Sequence, residues 1–86
     1  MTDIQFAKEH MGEYFLFGRE TVWSGGIATE DYKVRVIGYD ATGVDKAVII
    51  DYLVGWDIML ADSSDVINRD LCETGRCYYV NWEDLK

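Results

Sequence analysis

The 86-residue chain has no proline, a single histidine, only two cysteines, half as many basic as acidic side chains, and no apolar run approaching a membrane span. Each shortage removes a class of protein. Without proline, repeats or a low-complexity tract, nothing marks an internal linker, and the chain reads as one domain, residues 1–86. A closed structural zinc site needs four ligands, and Cys72, Cys77 and His10 leave that set one short. A membrane helix needs ~20 consecutive apolar residues. The opening "MTDIQFAKEHMGEY" has no basic segment followed by an apolar one, so a cytoplasmic location is expected rather than secretion. Eight Lys and Arg against sixteen Asp and Glu give a net charge of −8. A field of that sign repels phosphate backbones and anionic lipid, which argues against direct nucleic-acid or membrane binding and favours a basic protein surface.

What is present suits a small globular fold. Apolar residues make up 49% and aromatics 14% of the chain, enough for a core even though a domain this short buries only about 60% of its unfolded surface. Thr2 and Gln5 have the spacing of a capping box and Gly12 can close the helix, which predicts a helix over 3–11 with Ile4, Ala7, Lys8 and Met11 on one side. "EYFLF" at 13–17 reads as a strand. Three glycines and scattered small polar residues make Gly18–Asp31 a long loop, with at most a short strand around Glu20–Trp23. Tyr32, Val34 and Val36 alternate with Lys33 and Arg35, the pattern of a half-buried strand. Its partner follows "DATGVD" in "KAVIIDYLVGW", so Tyr32–Tyr39 and Ala47–Val54 form an antiparallel hairpin. Gly55 bends the chain before "WDIML", and "ADSSDVINRD" is a polar connection with a helical turn capped by Asp62 or Ser63. "LCETGRCYYVNW" reads as a final hairpin that sets Cys72 opposite Cys77. The fold class is therefore α+β: a short N-terminal helix with a twisted antiparallel sheet of about five strands, open or curled into a small barrel.

No constellation carries recognisable catalysis. Cys72 and Cys77 read as reduced core side chains in a reducing compartment, although a bridge across the hairpin is geometrically allowed. His10 at a helix end complements the dipole rather than activating a thiol. Asp57, Asp62, Asp65 and Asp70 lack the alternate oxygens, central glycine and closing Glu of a calcium loop, since Val66 and Ile67 interrupt them. "SGG" at 24–26 is not followed by the Gly-Lys-Ser/Thr of a phosphate loop. No enzyme activity, metal or cofactor is expected.

Aromatics on the surface are the remaining signal, because Trp, Tyr and Arg anchor protein interfaces. Trp23 lies in a glycine-rich segment, and Tyr39 and Tyr79 fall on the outward phase of their strands; Trp56 or Trp82 is expected inside. The expected contact residues are Trp23, Tyr39, Asp57, Asp62, Asp65, Asp70 and Glu73.

With the strands placed, three stretches carry a resemblance: "KVRVIGYD" at 33–40, "GW" at 55–56 and "YYVNWEDLK" at 78–86. The chain resembles the small acidic β-rich proteins that bacteriophages encode against host machinery, such as anti-CRISPR, anti-restriction and RNA-polymerase inhibitors. The resemblance implies a non-catalytic inhibitor occupying a basic, nucleic-acid-binding surface of a host defence or transcription protein, as a monomer or small homo-oligomer. Two alternatives remain open at this point. One is a DNA mimic, against which the irregular spacing of the acids speaks; the other is a sponge for a nucleotide signal, which would use an aromatic and Arg19, Arg35, Arg69 or Arg76.

Overall fold

A computed structural model describes residues 1–42, 48–52, 65–74 and 77–86. The helix α1, Asp3–Glu9, starts as its capping box requires: the Thr2 hydroxyl accepts from the Gln5 N–H at 3.1 Å, and the Gln5 side chain accepts from the Thr2 N–H at 2.9 Å. It ends two residues earlier than expected, at a His10 cap, and Gly12 turns the chain with φ 83°. Phe6 and Ala7 are its buried residues.

Among the described residues five antiparallel strands follow: β1 Tyr14–Trp23, β2 Gly26–Asp40, β3 Val48–Tyr52, β4 Asp65–Ile67 and β5 Cys77–Val80. The sheet order is β1-β2-β3-β5, and β4 pairs with β2 as well. β2 is the axis of the molecule. One of its edges pairs with β1 from Gly26 to Arg35 and then with β4 from Gly38 to Asp40; the other pairs with β3 from Val34 to Tyr39. The expected hairpin of the Val-rich strand with its successor is thus present.

A register shift between Val36 and Gly38 makes Ile37 an extra residue against β3. This bulge has two consequences. Val34 and Val36 face α1 with Ile50, Val48 and Val80, whereas Ile37 turns to the opposite side with Ile49 and Cys77. Beyond it the alternation is inverted, so Tyr39, expected to point outward, packs on the α1-side cluster instead. Tyr79 likewise lies against the second cluster rather than in water. Gly38 is required where β4 crosses, because a β-carbon there would overlap the Val66 carbonyl oxygen.

The C-terminus closes the α1 side. Trp82 begins a 3-10 turn, Trp82–Asp84; its backbone N–H donates to Asp3 Oδ1 at 2.7 Å and its ring stacks on Phe6 at 5.8 Å, so it packs half-buried on the α1 side. Leu16 and Lys86 then exchange backbone hydrogen bonds of 3.1 and 2.9 Å across a Phe17–Leu85 bridge. That single bridge does not make a ladder, so the sheet is open and the barrel expectation is not met.

Three other expectations are overturned. Gly18–Asp31 is not a loop but the outer part of a continuous β1–β2 ribbon, paired residue by residue to Trp23 and Gly26 around a Ser24–Gly25 turn. Residues 71–82 are not a hairpin: a 3-10 turn, Arg69–Leu71, precedes Cys72, and β5 pairs with β3 rather than with its neighbour in sequence. Within the polar connection, Asp65–Ile67 is a strand and the turn that follows is capped by Asn68. The expected bend at Gly55, Trp56 and the caps Asp62 or Ser63 lie outside the described residues.

Candidate functional site

Among the described residues no layer lies against the outer ribbon. Among the same residues β3 pairs with β2 from Val34 to Tyr39, and residues 18–31 form a two-stranded arm at one end of a molecule 40 Å long. At its end Val22 and Ile27 are directly opposed across the strands and are 79% and 68% exposed; Trp23 beside them is 59% exposed. The alternation places Val22 and Ile27 on one face of the ribbon and Trp23 on the other. The Trp23 ring lies over Gly25, where any β-carbon would overlap it, and Gly26 takes φ 133°, so the two glycines shape the turn on which the indole rests. Three large apolar side chains in water at a ribbon tip are an unusual exposure for a chain of net charge −8. Residues 18–29 carry one Arg and one Glu, which cancel, so the excess acid lies elsewhere in the chain.

The far end of β2 holds a different arrangement. A groove of about 720 Å³ lies beside α1 and β4, lined by Lys8, Met11, Tyr39, Val66, Arg69 and Asp70. Lys8 Nζ stands 5.5 Å from the centre of the Tyr39 ring. The sequence-predicted residues Tyr39 and Asp70 meet here. Asp65 is nearby but inward: it faces Asp40 across the β2–β4 pair, and its Oδ2 is buried with no hydrogen-bond partner among the described residues.

Glu73 is on the opposite face of the sheet and already has internal partners. It accepts the Tyr14 hydroxyl at 2.7 Å, and Arg35 Nη1 lies 3.9 Å away. The Glu73 carboxylate holds the Tyr14 phenol above its ordinary pKa, with the Arg35 charge pulling the other way. Arg35 also donates to the carbonyls of Gly12 at 2.8 Å and Leu71 at 3.3 Å, pinning two turns to the sheet. Asp51 is fully buried; it accepts the N–H groups of Glu73 at 2.7 Å and Thr74 at 3.3 Å, and the Thr74 hydroxyl. These contacts hold the loop before β5 in place. Cys77 lies beside Asp51 in the register, and burial, followed by the adjacent Cys72, pushes its thiol up to about 11. The thiol is thereby disfavoured as thiolate and sits as a packed side chain of the second cluster.

The seven expected contact residues therefore do not form one surface. Trp23 is at the arm tip, Tyr39, Asp65 and Asp70 are at the other end of β2, and Glu73 is behind the sheet. Asp57 and Asp62 lie outside the described residues. Val22 and Ile27 were missed, although apolar β-branched residues flanking Ser-Gly-Gly are the signature of a hairpin end. Among the described residues no group of three His, Cys, Asp or Glu side chains could hold a metal ion, and no helix is long and apolar enough to cross a membrane.

The fold so defined is α+β with an open antiparallel sheet. No protein-family model, no curated protein and no solved structure matches the chain.

Proposed function

We propose that this chain is a non-catalytic binding protein, a phage-type inhibitor that occupies a basic, nucleic-acid-binding surface of a host defence or transcription protein. The observation that carries the reading is the exposed Val22–Trp23–Ile27 tip, on a ribbon that no described residue backs with a layer. In this reading the acidic body is drawn to the basic surface by long-range attraction, and the neutral tip is buried in an apolar recess beside it. The test compares capture from bacterial lysate by the native chain and by a Val22→Ser, Trp23→Ala, Ile27→Ser variant. The expected result is a basic protein retained by the native chain, released by added salt or by competing DNA, and lost by the variant. Equal capture by both chains counts against the tip.

Burial of Asp40 and Asp51 takes two carboxylates out of any phosphate-like array, which disfavours DNA mimicry. The groove lined by Lys8, Tyr39 and Arg69 favours a second reading, a site for a small anionic ligand such as a nucleotide signal. A thermal-shift series with cyclic nucleotides separates the two readings, since the inhibitor reading expects no shift.

A further inference from the structure

We infer that the outer edge of β1 is a self-pairing surface, and that two copies of this chain join arm to arm through it. The direction of the backbone groups follows from the C-terminal bridge. Leu16 exchanges both of its backbone hydrogen bonds with Lys86, so Leu16 points its N–H and C=O away from β2. Alternation then sends those of Gly18, Glu20 and Val22 outward too. Among the described residues those of Glu20 and Val22 meet no strand. The Phe17–Leu85 bridge sets Gly18 opposite Asp84, so the open stretch begins at Arg19 and runs to Trp23, the last residue before the turn. Its midpoint is Thr21.

A two-fold axis through Thr21, perpendicular to the sheet, makes the stretch its own complement. Glu20 then lies opposite Val22 of the second copy, with each Glu20–Val22 pair exchanging both backbone hydrogen bonds. Arg19 lies across from Trp23 of the second copy, on one face, within reach of its ring. The neighbouring register, centred on Glu20, would set two carboxylates against each other. The other edge of the arm carries Glu30 and Asp31, and self-pairing there concentrates like charge. The β1 edge, with Arg19 and Glu20 cancelling, is the stretch where a second copy of so acidic a chain is not repelled locally. The inference does not rest on the proposed function.

Four measurements on the full chain test it. Light scattering across a concentration series should show the mass rising from 9.9 kDa towards twice that value. Added salt should increase the dimer fraction by screening the −8 charge of each copy, the opposite of its effect on docking to a basic protein. Glu20→Pro removes an outward N–H without touching a β1–β2 hydrogen bond, so the variant should stay folded and monomeric. In chains also carrying Cys72→Ser, oxidation should link Thr21→Cys into a covalent dimer, because a non-hydrogen-bonded pair on the axis brings the α-carbons to about 4.5 Å. Glu20→Cys faces Val22 of the second copy and should link far more slowly. A native chain that stays monomeric at every concentration and salt, or equal linking at positions 20 and 21, overturns the inference.

Discussion

One strand, β2, runs through two regions built on different terms. From Val34 to Tyr39 it has neighbours on both edges and layers on both faces, with Val34, Val36 and Ile37 fully buried. From Gly26 to Asp31 it has, among the described residues, one neighbour and no layer, and Ile27 is in water. Apolar area removed from water is the main stabilising term, at roughly 25 cal/mol per Å², so the body carries the fold and the arm adds little. The arm's apolar residues are then available for burial against something else. The separation teaches that exposure of Val22, Trp23 and Ile27 is tolerated because the fold does not depend on them.

Substitutions sharpen the contrast, beginning in the body. Ile50→Ala empties a fully buried position between the helix and β5 and should cost about 2–5 kcal/mol, read from urea unfolding. Against a total often near 5 kcal/mol, that loss would leave the chain marginally folded. Asp51→Ala strips the acceptor from two backbone N–H groups and the Thr74 hydroxyl, and should cost about 1–3 kcal/mol, with the loop at 72–74 losing protection in hydrogen exchange. Thr2→Ala removes the helix cap and should cost about 1 kcal/mol by the same unfolding measurement.

The Cys77 thiol gives the body a pH signature. Its ordinary value of 9.0 is raised to about 11 in the folded chain, chiefly by burial. The folded state therefore holds the proton more tightly, and this contribution is complete below pH 9 and is lost as pH rises towards 11. The melting temperature should fall across that window, and Cys77→Ala should make the fall shallower. A melting temperature equally flat in both chains would place Cys77 nearer to water than its burial implies.

What was legible in the residues was what depends on neighbours in sequence. The capping box at Thr2 and Gln5 and the alternation of Tyr32–Val36 are local rules, and both elements formed. Trp82 was legible as an inward residue through its phase with Tyr78 and Val80. The arm was not, because Gly18, Gly25 and Gly26 weakened the strand pattern, while the pairing of Gly18 with Asp31 is a long-range fact. Nor was the partner of β5, which passes over its neighbour in sequence to join β3. Tyr39 was misplaced for a third reason: one extra residue at Ile37 inverts every position after it. As for the candidate site, Trp23 was legible as an exposed residue from its residue type and glycine-rich setting, but Val22 and Ile27 required the knowledge that no described element covers them.

The smallest expected effect on stability and the largest on recognition belong to the same variant. Replacing Val22, Trp23 and Ile27 together by Ser, Ala and Ser alters only exposed side chains, each worth within about 0.5 kcal/mol. Measured side by side with the native chain, the variant should capture no partner and lose at most about 6–12 °C, since up to ~1.5 kcal/mol in total converts at ~4–8 °C per kcal/mol for a domain of this size. A melting temperature lowered as far as that of Ile50→Ala, with capture of the partner intact, would contradict the division of the molecule into a body that folds and an arm that binds.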